Sequence, residues 1–367
     1  MRLEVLSLEV EPLSVPLVDP FVIATGRVDQ TRSALVRVQL RAEGRTAFGL
    51  GEAAALPPVT REDQPDVLLH VRRAASMFVG RTLELGRDFT SLEAMLDAAL
   101  EAFPVSRSGV EMALLDAIAR LKAVPLHALL STAAARPVVT DITLPILPPA
   151  RMAELARSWW ELGFRAFKLK VGRALSEDLE ALAAIHGATP AATLRVDANG
   201  GFSAEDALAF LRAAREKDFR IECFEQPCAP DDVEGMAEVT RVGGVTVIAD
   251  ESVKRLSDLQ VLRAHRAASG VNLKVAKCGG LLEALRIGRA ARTHGLALMV
   301  GGMVETRLGM TAATHLVTAL GGVDFADLDT AWLLKSDPFV GGYQETGPRY
   351  LLPGTPGLGV SWSGGRD

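Results

Sequence analysis

Ala166-Phe167-Lys168-Leu169-Lys170 puts two lysines inside a short apolar run that extends from Phe164 to Val171. A run of this length, bounded by polar stretches, reads as a buried strand. Side chains alternate along a strand, so Lys168 and Lys170 face the same side. Two neighbouring ammonium groups at the inner end of a buried strand are costly unless a function requires them. A strand that ends at the surface with two solvated lysines is the plain alternative. The sequence around the pair decides between them.

Outward from this strand the pattern is regular. From about residue 136, apolar strands near 138–147, 165–171, 193–198, 221–226, 246–250, 270–276, 297–301 and 324–328 alternate with helical stretches near 150–162, 176–187, 203–217, 231–240, 256–268, 281–294 and 306–320. Eight strands joined by seven helices predict an α/β chain with a modified TIM barrel, (β/α)7β. A doubly wound open sheet is the runner-up, but no Gly-rich dinucleotide fingerprint follows any strand. Upstream, residues 3–18 and 33–41 read as strands and 46–51 as a returning strand. Helical spacing follows near 63–79, 91–102 and 107–123, which predicts an α+β domain. Segments 20–32 and 53–60 read as irregular connections, and the tail after Pro338 is rich in Gly and Pro.

Bulk properties narrow the function. A net charge of −5 without a Lys/Arg run gives no reason to expect a nucleic-acid partner. No uncharged apolar run approaches the roughly 18–20 residues of a membrane span, so no membrane partner is expected. The N-terminus, Met1-Arg2-Leu3-Glu4-Val5, lacks the apolar core of a signal peptide. Cys223, Cys228 and Cys278 have no zinc-type spacing and fit free thiols in a reducing cytoplasm.

The C-terminal ends of barrel strands face the active site. Here those ends read Lys168-Leu169-Lys170, Asp197-Ala198-Asn199, Glu225-Gln226-Pro227, Asp250-Glu251-Ser252, Lys274-Val275-Ala276 and Asp327-Leu328-Asp329. One acidic residue at a strand end is usually a cap or a turn. Three acids on three successive strands converge in a barrel, repel one another, and call for a hard divalent cation. An all-oxygen set favours Mg²⁺ over zinc. Lysines flank this site from the second and sixth strands. A nearby cation and desolvation are expected to lower their pKa values and make them bases. Two such lysines on opposite faces of a bound carboxylate would remove a carbon-bound proton and return it to the other face, as a racemase or epimerase does. The metal would hold the substrate carboxylate and stabilise the enediolate.

Taken together, these motifs resemble the enolase superfamily, muconate-lactonizing-enzyme subgroup. The resemblance rests on the helix within Gly109–Leu130, the KLK strand, VDAN, EQP, ADES, NLKVAKCGG and GGMVETRLG. It implies an N-terminal capping domain over residues 1–133, with segments 20–32 and 53–60 covering the site. A barrel domain would span 134–340, and residues 341–367 would pack back on the cap. It implies Lys170 and Lys274 as the acid–base pair, Lys168 as electrostatic partner, and Asp197, Glu225 and Asp250 as Mg²⁺ ligands. Lys277 is read as structural. The mandelate-racemase branch places a His at the end of the seventh strand, where this chain has Val300-Gly301-Gly302-Met303, and none of the six histidines is assigned to catalysis.

Asp327 and Asp329 are similar to the Asp-x-Asp pair of dipeptide epimerases, which clamps the α-ammonium of the first amino acid. Physically, two carboxylates facing one way suit a cation; a helix cap ahead of Thr330 is the alternative. Thr143 matches a position that touches substrate. The expected activity is Mg²⁺-dependent epimerisation of a small-molecule dipeptide at the second α-carbon. Segment 54–59, Ala-Ala-Leu-Pro-Pro-Val, leans toward uncharged or hydrophobic side chains, whereas Arg27 keeps L-Ala-Glu open. N-acylamino-acid racemisation and o-succinylbenzoate synthesis are the competing reactions, and the chain is a candidate homo-oligomer.

Overall fold

The computed structural model describes residues 1–363 other than residues 24, 25, 87 and 173, and all but the side chain of residue 23. The N-terminal part begins with strands β1 (Arg2–Leu13), β2 (Pro16–Ile23), β3 (Gly26–Gln30), β4 (Arg32–Ala42) and β5 (Arg45–Ala55). With β6 (Thr82–Glu84), three of these form an antiparallel sheet in the order β5-β4-β1-β6. Helices α1 (Gln64–Phe78), α2 (Thr90–Leu100), α3 (Pro104–Leu121) and α4 (Leu126–Leu130) complete this part.

Nearly every side chain of α3 is buried, because the helix has neighbours on all sides. It lies directly on β5. A Cβ at Gly51 would come within 2.0 Å of Gly109 O, and one at Gly49 within 2.0 Å of Ala113 O. Only glycine permits that approach of strand to helix.

Two sequence expectations change here. Segment 20–32 is not an irregular loop, since β2 and β3 pair as an antiparallel hairpin with Phe21 opposite Val28 and Val22 opposite Arg27. Pro16 and Pro20 interrupt the strand pattern, and the register shifts between Pro16 and Phe21. In segment 53–60, Ala53–Ala55 belong to β5 and pair with β4, leaving only a turn at 56–60 closed by Thr60 N to Leu56 O at 3.0 Å.

The second part is a parallel sheet of eight strands. They are β8 (Ile142–Leu144), β9 (Ala166–Lys170), β10 (Thr193–Asp197), β11 (Ile221–Glu225), β12 (Thr246–Ala249), β13 (Gly270–Lys274), β14 (Ala297–Gly301) and β15 (Phe325–Asp327), hydrogen-bonded in sequence order. The sheet curls into a nearly closed barrel; at its seam the Asp141 N–H donates to Ala326 O at 3.1 Å. Helices α5 (Pro149–Glu161), α6 (Leu175–Ala188), α7 (Ala204–Glu216), α8 (Val233–Val242), α9 (Leu256–His265), α10 (Val275–Cys278), α11 (Leu281–Thr293) and α12 (Arg307–Ala319) connect them. The chain is thus an α/β protein with a (β/α)7β-type barrel and an N-terminal antiparallel-sheet domain.

The predicted first strand, 138–147, is divided. Val138–Val139 form β7, which pairs with a C-terminal strand, Arg349–Leu351, and only 142–144 enter the barrel. The C-terminal residues then return to the N-terminal helices. Leu358 N donates to Asp116 Oδ1 at 2.6 Å, and Leu126 N to Gly357 O at 2.8 Å.

A buried carboxylate ties the two parts together. Glu52, on β5, accepts from Ser33 Oγ at 2.7 Å, from Thr306 Oγ1 at 2.6 Å and from Gly309 N at 3.0 Å. The positive end of α12 therefore rests on the cap, a favourable place for an anion. Among the described residues no helix is long and apolar enough to cross a membrane.

Candidate active site

Lys170, Lys168, Thr143, Lys274, Asp327 and Asp329 line one cavity at the C-terminal end of the barrel strands. Period-two alternation on β9 sends Lys168 and Lys170 inward together, and both are buried. Lys274, at the end of β13, stands four strands further round a ring of eight, so it approaches from the opposite side. Asn199, Gly302, Met303 and Thr330 complete the walls, and Phe21, Leu56 and Val59 form a cover contributed by the cap. The free space among these side chains is about 20 Å³, room for little more than a water molecule.

Asp197, Glu225 and Asp250 stand on successive strands behind this cavity, all of them buried. The lysines knit them together. Lys170 Nζ donates to Asp197 Oδ2 at 2.6 Å, and Lys274 Nζ to Asp250 Oδ2 at 2.8 Å. Lys168 Nζ lies 3.1 Å from Asp197, 2.7 Å from Glu225 and 2.7 Å from Asp327. Burial opposes ionisation of Asp197 and Asp250. The ammonium groups of Lys170 and Lys168 beside one, and Lys274 and Lys277 beside the other, outweigh it and hold both carboxyls below the usual range. Glu225 is pushed up to about 7 by burial and by Asp197.

The expected lowering of the lysine pKa meets an opposing force. Burial does disfavour the Lys274 ammonium, but Asp250 and Glu225 outweigh burial and hold the group above its ordinary value. Lys168 is held high in the same way, with Asp327 its strongest anion.

The donor set fits a hard divalent cation. It comprises three buried carboxylates with no nitrogen or sulfur, and Glu225 Oε2 has only the Lys168 ammonium against it, at 2.7 Å. A second acidic trio, Asp141, Asp327 and Asp329, presents one oxygen each within 4.8 Å of the others. Cations already face two of its members: Lys168 meets Asp327, and Arg195 Nη1 meets Asp141 at 2.8 Å. Lysines also face all three acids of the first trio, Lys170 at Asp197, Lys168 at Glu225 and Lys274 at Asp250, so the cations present do not separate the two sets.

Asp329 starts the 3-10 turn Thr330–Leu333 but makes no side-chain capping bond to it. Its Oδ2 instead accepts from Thr143 N, while Oδ1 is buried without a partner. The cap reading of the Asp pair therefore fails for Asp329. Burial and Asp327 together push the Asp329 carboxyl up to about 6.

Several residues around the site escaped sequence reasoning. Asn272 Nδ2 donates to Glu225 Oε1 at 2.8 Å; its position two before Lys274 on an inward-facing strand was the available signal. Asn199 donates to Glu251 Oε1 at 3.0 Å. Lys277, which the sequence reading took as structural, donates to Asp250 Oδ1 at 2.6 Å and to Asn272 O at 2.9 Å, and so holds one of the three acids. Arg27 pairs with Asp29 on the exposed face of the hairpin, both side chains more than half exposed, and is absent from the described cavity lining. The neighbouring Ala24 and Thr25, read as part of the covering loop, lie outside the described residues.

A barrel closed over by a second domain, with lysines and acids at its strand ends, defines a class of proton-transferring enzymes, and sequence comparison places the chain within it. Residues 7–131 match the mandelate racemase/muconate lactonizing enzyme N-terminal domain, and residues 151–365 match the enolase C-terminal domain-like family. The chain belongs to the mandelate racemase/muconate lactonizing enzyme family of the enolase superfamily, and it is an isomerase of the epimerase type. It is 40% identical to an L-Ala-D/L-amino acid epimerase of Populus trichocarpa, over 95% of this chain and 82% of that one. It is 37% identical to an aromatic dipeptide epimerase of Herpetosiphon aurantiacus, over 97% and 98%. A dipeptide epimerase of Enterococcus faecalis, solved with Mg and L-Leu-L-Tyr, superposes with a TM-score of 0.88 at 30% identity, covering 98% of this chain and 99% of that one.

Proposed function

We propose that the protein epimerises dipeptides at the α-carbon of the second residue, in a Mg²⁺-dependent reaction carried by two lysines. The observation that carries this reading is the placement of Lys170 and Lys274 on opposite sides of one cavity that also exposes Asp327 and Asp329. Asp197, Glu225 and Asp250 would hold the ion, which would supply positive charge beside the substrate carboxylate. Lys170 takes the α-proton from one epimer and Lys274 returns a proton to the opposite face. The reverse reaction exchanges their roles. Lys168 stays charged beside the carboxylate end of the substrate. Asp327 and Asp329 receive the α-ammonium, and the Thr143 N–H holds Asp329 toward it.

The substrate leans to hydrophobic or uncharged second side chains. Phe21, Leu56, Val59 and Met303 supply an apolar cover and wall, and Arg27 is engaged by Asp29 at the surface. L-Ala-Glu is the narrower alternative. The three buried, free cysteines agree with a reducing, cytoplasmic setting. The test is a library of L,L-dipeptides incubated with enzyme and Mg²⁺ in D₂O. Loss of the second-residue α-proton signal by NMR, strongest for apolar side chains, is expected. No exchange with any dipeptide, or exchange confined to N-acylamino acids, would remove the proposal.

A further inference from the structure

Directly beneath Asp327 and Asp329 lies a third carboxylate, Asp141, which is absent from the described lining of the cavity. It is fully buried, just before β8 at the barrel seam. The backbone there is tied to both neighbours of Asp327: Asp141 N donates to Ala326 O at 3.1 Å, and Leu328 N to Thr140 Oγ1 at 2.7 Å. The Asp141 carboxylate receives Arg195 Nη1 on Oδ2 at 2.8 Å, and the same nitrogen lies 3.2 Å from Ala326 O. The remaining oxygen, Asp141 Oδ1, is buried without a partner, as is Asp329 Oδ1.

These three acids are short of positive charge. Lys168 faces Asp327, but it also serves Asp197 and Glu225. Arg195 faces Asp141, but its Nε is spent on Glu222 at 2.8 Å. Asp329 accepts from the Thr143 N–H, makes no ion pair, and feels the Lys168 ammonium only at longer range. A like-charged neighbour in a buried place raises the demand of a carboxylate for either a proton or a cation. Asp327 and Asp329 line the cavity where a substrate ammonium would arrive.

We infer that Asp141, held by Arg195, is a positioning residue of the ammonium receptor: it aims the field of Asp327 and Asp329 and makes the site select a charged α-ammonium over an acylated, neutral nitrogen. The inference rests on the dipeptide reading above. Because Asp141 does not touch the substrate, its effect is on selection rather than on proton transfer.

Asp141→Asn tests it. The amide keeps an acceptor for Arg195 and removes one negative charge. Three quantities are compared with the unaltered enzyme in the presence of Mg²⁺: kcat and KM for an active dipeptide, the same for its N-acetyl derivative, and Mg²⁺ affinity by titration. The expected result is a KM for the dipeptide raised by about tenfold, with kcat within about threefold and Mg²⁺ affinity unchanged. The preference for the free amine over the N-acetyl compound should fall by about tenfold. An unchanged preference in folded Asp141→Asn protein overturns the inference, as does a loss confined to kcat or accompanied by weaker Mg²⁺ binding. If the asparagine variant does not fold by circular dichroism, Asp141→Ser removes the same charge with less bulk and is read the same way. If the unaltered enzyme exchanges no dipeptide, the functional reading itself has failed, which is a separate outcome.

Discussion

Lys168 Nζ lies 2.7 Å from Asp327 Oδ2, bridging the second and last strands of the barrel. The same ammonium touches Glu225 and Asp197, so one buried cation joins the acids suited to a metal with the acids suited to an ammonium. Lys168→Met should therefore damage both halves of the site. Removing one partner of a buried ion pair costs about 3–5 kcal/mol. We expect a lower melting temperature by calorimetry and a loss of activity of at least about 100-fold. A variant as stable and active as the parent would show that Lys168 is dispensable.

Lys170 and Lys274, proposed as the acid–base pair, should fail in complementary ways. General acid–base contributions are typically about 10²–10⁴-fold, so Lys170→Ala and Lys274→Ala should each lose epimerisation by that order. Each should retain some solvent exchange with only one substrate epimer, and the retained epimer should differ between the two. NMR in D₂O with separate L,L and L,D dipeptides reads this directly. Equal, mild losses with both epimers would refute the assignment.

Asp327→Asn should weaken dipeptide binding more than catalysis. A hydrogen bond to a charged group contributes about 1.5–3 kcal/mol, and 1.4 kcal/mol is tenfold in affinity, so KM should rise by roughly 10–100-fold. N-acylated substrates, which carry no ammonium, should be affected far less. Steady-state kinetics with both classes separates the effects.

Chelation by EDTA should stop α-proton exchange, and added Mg²⁺ should restore it. Glu225→Gln should raise the Mg²⁺ concentration needed for half-restoration, because it removes one of three buried carboxylate donors. The readout is activity against free Mg²⁺, together with metal binding measured by titration.

Away from the site, His127 and His315 are buried against each other, with His127 N donating to His315 Nδ1 at 3.1 Å. Burial first, and His127 second, push His315 down to about 3 from its model-compound value of 6.5. Folded protein therefore binds fewer protons than unfolded protein between these values. The His315 contribution to stability is complete above about pH 6.5 and is lost as pH falls toward 3, at roughly 1 kcal/mol per pH unit. His315→Asn keeps an acceptor but does not titrate. Its melting temperature should fall less than that of the parent between pH 7 and pH 5.

Much of the fold was legible because periodicity is local. The eight barrel strands and the seven helices between them followed from alternating apolar runs, and their observed bounds fall within a few residues of the reading, apart from the divided first strand. Where prolines interrupted the pattern, as in β2, the reading gave a loop and the structure has a hairpin. Where a strand serves two sheets, as at 138–144, local signals could not divide it, because the partner of β7 comes from residues 349–351.

The sequence by itself determined which residues could meet. Strand-end position and period-two alternation bring Lys168, Lys170, Lys274, Asp327, Asp329 and Thr143 to one cavity, with Asp197, Glu225 and Asp250 behind it. Tertiary structure alone decided who partners whom. Lys277 on Asp250, Asn272 on Glu225, Glu52 on the start of α12 and Asp141 beneath the Asp pair all join residues brought together by chain closure. The charge balance of a buried site depends on distances of a few ångströms across the barrel. Sequence spacing fixes faces and strand ends, but those distances exist only once the barrel has closed.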